Sequence, residues 1–558
     1  MLQVDEIHVL RDASEQLLEP VVAYLLQDLA RRVAEAGQLT ATAQYEFWKL
    51  QELGISQRKT NKALKRLLNV SNRQLRQMLT QSAEAGYRHD LEALPYQQAV
   101  PFRENQPVQK IVKAALEQTQ GELKNLTQTL GMVDPYGNAL PLQDAYRSCM
   151  DYTYSQVATG AADYNTAVRQ ATRNLAEKGV RVIDYESGVH TTLEAATRRC
   201  VMGGLGLMQE QISKQNHDDM GANGWEIDAH SNSAPDHEPI QGRQYGDAEY
   251  ETLNASLVRR IGTLNCGHSA HPILLGISRP QYTPEELEEM RRENEAGFTY
   301  NGQHYTGYEA TQRQRALERA IRKQRRRILV DEASGDAQRL QDDQIRLVRL
   351  EEEYRRFSKA AGLRTQQERL EEVGFAWKEA TESQTAAESY YSEWSKSIGA
   401  DNSIKTLAEY YDVKYNDSPR YELLQRYAHD VDSGWISPLS RFDNYEALYN
   451  QIQTEIVGTT ASNGVVITGQ SQHFMQRVIG TMVDPQKLHD NLRIIRRSGV
   501  DINSIKDTLY NPVEVCPVRV SQGGRKSIKL NGKNCSVTIN PDTGILIQTN
   551  PRKEESIW

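Results

Sequence analysis

The apolar positions of residues 1–135 recur at helical spacing, as in "LLEPVVAYLLQDLARRV" and "NKALKRLLNVSNRQLRQML", and predict packed amphipathic helices. The period persists through "YNTAVRQATRNLAEKGVRVIDYESG". There Gly179 ends a helix and "VRVIDY" reads as a short strand, so a small α+β unit is expected. Residues 216–282 lose the period, and His, Gly, Asn, Asp and Pro dominate, the composition of a long functional or interface loop. Helix resumes at Pro284 and runs to about Lys396, with Gly335 and Gly362 as breaks. Within it Leu340, Leu347, Leu350, Tyr354 and Phe357 trace the seam of a coiled coil or long helical hairpin, an apolar stripe that needs a partner. Residues 397–457, set off by Gly399 and Asp401, read as a Tyr-rich helical connector.

The last hundred residues switch again. A strand-like "GVVIT" precedes a helix from about Ser471 to Thr481, and "PQKLHDNLRIIRRSG" predicts a second helix. Then "KSIKLNGKNCSVTINPDTGILIQTNP" carries an Asn531-Gly532 hairpin turn, an alternating strand (Cys535, Val537, Ile539), a Pro-Asp-Thr-Gly turn and a final strand (Ile545, Ile547, Thr549). The expected fold is multidomain and mainly α. A body at 1–282 is helical and then α+β with a long irregular loop; a long helical stalk or hairpin spans 283–396 and a helical connector 397–457. An α+β domain at 458–558 places two helices on an antiparallel sheet.

Composition narrows the function class. Charged residues make up 25% of the 558, the hydrophobic set 38%, and no apolar run approaches the roughly 18 to 20 residues that span a bilayer, so no membrane association is expected. The start, "MLQVDEIHVLRDASEQ", lacks a signal-peptide pattern, which leads us to expect synthesis in a cytoplasm without export. Five widely separated cysteines with no CxxC pair argue against a disulfide framework. The net charge of -8 is uneven: from residue 460 onward 13 Lys and Arg stand against 8 Asp and Glu, the balance of a segment that meets a polyanion.

Two constellations carry candidate chemistry. Asp228, His230, Asp236, His237, Cys266, His268 and His271 fall within about fifty residues and are zinc-ligand types, but the spacing is not that of a closed structural site. The alternative is a polar knot whose side chains hydrogen-bond loop backbone; no metal and no cofactor is assigned. The run "RKQRRR" (322–327) either touches nucleic acid or forms a solvated or partner-facing surface. In the tail, His473 and Arg477 sit one helical turn apart: an imidazole suited to general-base work and a guanidinium suited to a phosphate. Arg519, Arg525, Lys526 and Lys529 would line a basic, nucleic-acid-binding cleft, and Ser527 and Thr549 offer hydroxyls. The competing reading is two solvated residues on an ordinary helix.

The ordered blocks "GVRVIDYESGVHTTLEAATRR", "AHSNSAPDHEPIQGRQY", "NCGHSAHPILLGIS" and "FTYNGQHYTGYEATQRQRALERAIRKQRR" resemble those of the tailed-phage minor capsid family related to the MuF minor head proteins, over about residues 1–330. The resemblance implies a virion protein of the phage head, made in the host cytoplasm and in some cases delivered with the DNA. It would act in head morphogenesis or at the head-to-tail connection, with the portal and major capsid proteins as partners. Where that family commonly has Arg-Pro after the first His, this chain has Ser233-Ala234-Pro235.

Residues 397–558 resemble the connector and toxin domains of the barnase, EndoU, colicin and RelE type of ribonuclease. That likeness implies a metal-independent ribonuclease effector in which His473, Arg477 and Thr549 are catalytic. RNA would be its substrate and a small immunity protein a companion. No second histidine stands where the general acid should be, His489 being the only other one in residues 458–558, so a Lys or Arg would substitute or the domain would be inactive. The alternative is a purely structural head protein whose basic C-terminal domain binds packaged DNA or another protein.

Overall fold

The computed structural model describes all residues except 1, 40, 94–99, 185–188, 263–266, 398–403, 482–496, 522 and 553–558. The chain divides into two compact units, Met1–Gln384 and Thr385–Trp558. Both are helix-rich with small sheets.

Unit 1 opens with α1 (Val4–Gln16), α2 (Glu19–Gly37), the 52-residue α3 (Thr42–Ala93) and α4 (Gln106–Gln128). In α2, Pro20 pre-sets the first turn, and Val22, Leu25, Leu26, Leu29 and Val33 form one fully buried stripe. β1 (Leu130–Val133), β2 (Ala139–Pro141), β3 (Val180–Ile183) and β4 (His190–Thr192) make an antiparallel sheet in the order β2-β1-β3-β4. Helices α5 (Leu142–Ala158) and α6 (Tyr164–Lys178) lie between its two hairpins in sequence, and α7 (Leu193–Met220) follows it. Helix α7 packs along α4 and α3. The α4 approach is close because residue 204 is glycine: a Cβ there would lie 2.2 Å from Thr119 Oγ1.

The stretch expected to be one long irregular loop is only partly so. β5 (Gly224–Ile227), β6 (Gln244–Gly246) and β7 (Ala270–Ile273) form a three-stranded antiparallel sheet in the order β6-β5-β7, with α8 (Asp247–Ser256) between β6 and β7 in sequence. Strands of three or four residues are too short to show an alternation in sequence.

Next come α9 (Pro284–Ala296), the hairpin β8 (Phe298–Tyr300) with β9 (Gln303–Tyr305), α10 (Gly307–Ser334) and α11 (Ala337–Ala360). Gly335 ends α10 at φ +75° and turns the chain so that α11 packs back along it. Leu347, Tyr354 and Phe357 of the predicted seam are buried against Leu317, Ile321 and Ile328 of α10, while Leu340 and Leu350 are half-buried. The partner for that stripe is therefore α10: of the two readings, coiled coil or helical hairpin, the helices form the hairpin, and the stripe is not left for another protein to cover. Helix α10 also packs on α2 and α6, and the aromatic rings of Phe298, Tyr300 and Tyr305 surround Phe357.

The 21-residue α12 (Trp377–Ser397) carries the chain from unit 1 into unit 2. Unit 2 then has α13 (Leu407–Asn416), α14 (Ser418–Asp432) and α15 (Phe442–Glu455), whose Tyr410, Tyr411, Tyr427 and Tyr445 are buried, so the connector helices share a core with the terminal residues. β10 (Gly469–Gln470) and α16 (Gln472–Ile479) follow, then the short pair β11 (Gly480–Thr481) and β12 (Arg497–Ser498), and α17 (Ile502–Tyr510). The sheet is built from β13 (Glu514–Val515), β14 (Arg519–Val520), β15 (Lys526–Asn531), β16 (Cys535–Ile539) and β17 (Ile545–Pro551). Its order is β10-β17-β16-β15-β13, with β14 also on β15; only the β10–β17 pair is parallel.

Ser471 caps α16 by accepting from the Phe474 N–H at 3.1 Å, so the helix starts where the sequence placed it. The second predicted helix, with His489, falls largely outside the described residues, as do Gly399, Asp401 and Cys266.

Candidate functional site

In unit 1, α1 presents His8, Arg11, Asp12 and Glu15 along one face, and α10 presents Arg315, Glu318, Arg319 and Arg322 with the same spacing. These two faces, the two loops that carry His230 (before β6) and His268 (before β7), and Arg369 of the turn Gln367–Leu370 enclose a cavity of about 480 Å³. Eight arginines and three carboxylates line it. Arg369 pairs with Asp12, Arg198 with Glu15 at 2.6 Å, and Arg322 with Glu15 at 3.0 Å and Glu19 at 3.4 Å. Arg11 is only 4% exposed; among the described residues its one ionic contact is Asp12 at 3.8 Å and its buried Nη2 has no hydrogen-bond partner. Burial, reinforced by Arg315, lowers Arg11 to about 9.

The histidines of the first constellation form the cavity's neutral wall. His237 Nε2 donates to Arg259 O at 2.9 Å, its Nδ1 stands 3.3 Å from His268 Nδ1, and His268 Nε2 lies 2.9 Å from Gln241 Oε1. That same Gln241 oxygen accepts the His230 N–H at 3.1 Å. Burial lowers His268 to about 2 and His8 to about 3, so both stay neutral near pH 7. Asp228 and His271 turn aside to pair with each other at 3.2 Å, and Asp236 pairs with Arg259. The polar-knot reading describes this wall: the side chains hold a segment that lacks a strand ladder. Among the described residues no three His, Cys, Asp or Glu side chains are grouped to hold a metal.

The basic run "RKQRRR" is neither solvated nor displayed to a partner. Arg322 is buried as described, Arg325 pairs with Glu351 at 2.8 Å, Arg326 with Glu194 at 2.5 Å and Glu372 at 3.2 Å, and Arg327 with Glu177 at 3.1 Å. Burial, then the neighbouring Glu372 carboxylate, pushes Glu19 up to about 8; burial pushes Glu372 up to about 7 against the pull of Arg326. Sequence reasoning missed this network because its acidic members, Glu15, Glu19, Glu177, Glu194, Glu351 and Glu372, lie on six other segments.

In unit 2 the structure brings His473 and Arg477 together. Arg477 Nε donates to His473 Nε2 at 3.4 Å, and His473 Nδ1 donates to Gln476 Oε1 at 3.1 Å, which fixes the Nδ1–H tautomer. Behind them, Gln472 and Gln476 both donate to Asp430 Oδ1 at 2.7 Å. Asp430 is fully buried, its other oxygen has no hydrogen-bond partner, and burial raises its pKa. The imidazole is half-buried and meets the Trp435 ring edge-on at 6.2 Å. Asp430 and Trp435 had no signal in "YAHDVDSGW".

The other expected site residues are not gathered there. Thr549 is 0% exposed, and its hydroxyl donates to Ser536 O at 3.0 Å inside the sheet, so a polynucleotide cannot reach it. Arg519, Arg525, Lys526 and Lys529 are exposed on β14, β15 and the turn between them. Helix α16 packs on β17, two strands from β15 and three from β14, a separation of roughly 10–14 Å across the sheet. The tail's positive balance is also offset within its own unit: residues 385–558 carry 19 Lys and Arg against 20 Asp and Glu.

Residues 8–359 match the model of one protein family, described as phage minor capsid protein 2. The match lies within unit 1, and unit 2 is outside it. No curated protein and no solved structure matches the chain.

Proposed function

The chain belongs to the phage minor capsid protein 2 family, and from that premise we propose that it is a minor component of a phage head in which unit 1 meets the portal and the major capsid protein. The match over residues 8–359 carries the reading, since it takes in most of the helices whose buried residues form the hydrophobic clusters around α2 and around the α10–α11 pair. No helix among the described residues is long and apolar enough to cross a membrane, which accords with an assembly role. Mass spectrometry of purified DNA-filled particles should find the chain at a few copies each. Its absence from particles, with presence only in the soluble lysate, would overturn the assignment.

A second reading concerns unit 2: a metal-independent ribonuclease in which His473 takes the 2′-hydroxyl proton and Arg477 holds the phosphate. The 3.4 Å imidazole–guanidinium contact favours it, as does the chain of bonds from His473 through Gln476 to Asp430, which orients the ring. The resting contact occupies the Nε2 lone pair, so Arg477 must swing to substrate before the imidazole acts. Thr549 has no part in this reading. The full-length chain should cleave RNA in EDTA, and His473→Ala should lower the rate about 100-fold or more. Salt-sensitive DNA binding with no RNA cleavage would instead identify a structural head protein with a nucleic-acid-binding terminal domain.

A further inference from the structure

We propose that the arginine-lined cavity of unit 1 is a binding site for a phosphate monoester, the terminal phosphate of a nucleotide or of a nucleic-acid strand. This stands apart from the head-protein and ribonuclease readings, since it rests on side chains that neither of them uses.

The cavity's arginines fall into two groups by what they are bonded to. Arg198, Arg259, Arg322 and Arg369 are each matched by a carboxylate. Arg315, Arg319 and Arg364 have no side-chain hydrogen bond or ion pair among the described residues, and Arg11 has only the 3.8 Å approach to Asp12. Four guanidiniums thus face one space with their donors available. Arg319 and Arg364 are exposed, whereas Arg11 is buried and Arg315 is half-buried.

Placing Arg11 and Arg315 together is unfavourable for the unliganded protein. Burial and then Arg315 lower Arg11, burial and then Arg369 lower Arg315, and a guanidinium does not escape by deprotonating at neutral pH. The repulsion therefore stays in the fold as lost stability. A group of like charges only partly offset by Asp12, Glu15 and Glu318 around a preformed concavity is what an oxyanion would neutralise further.

The chemistry of the walls selects the oxyanion. Forked guanidiniums match the tetrahedral oxygens of a phosphate, which can accept from two arginines at once. On the opposite wall, the Nε2 atoms of His230 and His8 converge on Gly267: a Cβ there would lie 2.9 Å from the first and 3.2 Å from the second. His230 Nδ1 faces Ser231 O at 2.9 Å, and its Nε2 is buried without a partner. The missing side chain at residue 267 keeps that corner open. The volume, about 480 Å³, is of the size that holds one drug-sized molecule and excludes a duplex, so only the end of a strand could enter.

The test is calorimetric titration of the full-length chain with inorganic phosphate as the bare anion, AMP, and a short DNA strand with and without a 5′-phosphate. Binding is expected for at least one phosphate monoester, and the arm that binds tightest names the source. Arg315→Gln should weaken it at least tenfold. The same variant should raise the melting temperature of the unliganded protein, because Arg315 gives up no internal bond and relieves Arg11. A merely structural arginine would do the reverse. No binding by any phosphorylated probe at millimolar concentration overturns the proposal. So does equal affinity for the strand with and without its 5′-phosphate when the nucleotide does not bind either, or binding unchanged in Arg315→Gln.

Discussion

Arg326→Met tests the buried ionic network on α10. The side chain of Arg326 is 11% exposed and lies between Glu194 and Glu372, and the Glu372 side chain is 0% exposed. Methionine preserves most of the volume and removes the charge, so the variant leaves Glu372 buried without its nearest cation. Breaking one side of a buried pair costs about 3–5 kcal/mol. The loss should depend on pH, because Glu372 can escape by taking up a proton. A carboxyl whose folded pKa lies above its unfolded value contributes stability that is complete below the unfolded value and is lost as pH rises through the folded one. For Glu372 that window runs from 4.5 to about 7 in the natural protein, and without Arg326 it extends upward. The destabilisation should therefore be larger at pH 8 than at pH 6 by roughly 1 kcal/mol. Urea unfolding followed by far-UV circular dichroism at both pH values measures it. The double variant Arg326→Met/Glu372→Leu should recover most of the loss, since an apolar pair replaces an ionic one. An equal loss at the two pH values, or a double variant no better than the single, would refute the reasoning.

Two further outcomes are expected. His8 and His268 have folded pKa values far below the ordinary 6.5, so they contribute stability above 6.5 that is lost as pH falls toward 3; His268→Gln should flatten the fall in melting temperature between pH 7 and pH 4 relative to the natural chain. Gly297→Ala should destabilise unit 1 by at least about 2 kcal/mol in the same urea titration, because residue 297 has φ +48° and the added Cβ would lie 1.9 Å from Tyr305 O. A loss under about 0.5 kcal/mol, the ordinary scatter of surface substitutions, would show that the β8–β9 hairpin yields.

Faces were legible in the sequence, and neighbours were not. The buried stripe of α2 and the Leu347, Tyr354, Phe357 stripe of α11 follow from periodicity, which says which side of a helix is dry. It does not say what covers that side, so the α11 seam was expected to seek another protein when α10 covers it. In β17, strict alternation put Ile545, Ile547 and Thr549 on one face. A register shift in the β16–β17 pairing between Thr538 and Ile539 leaves Leu546 and Thr549 buried and Ile545 exposed. The spacing of His473 and Arg477 was legible because both lie within one turn of one helix. Asp430, which holds their helix through two glutamines, comes from a different segment. The polar face of α1, with His8 and Arg11, carried no sign of its role because its covering partners lie some 300 residues later.

The closing of unit 1 on its own beginning has a consequence in time. Glu15 meets Arg322 across 307 positions and Asp12 meets Arg369 across 357. During synthesis at about 5–20 residues per second, α1 leaves the ribosome roughly 20–70 s before residue 369 does. Through that interval its acidic and apolar groups have no final partners, and any fragment ending before residue 369 lacks the last clasp. A nascent chain with so long a delay favours a holding chaperone, and truncations for expression should keep residues 2–384 together.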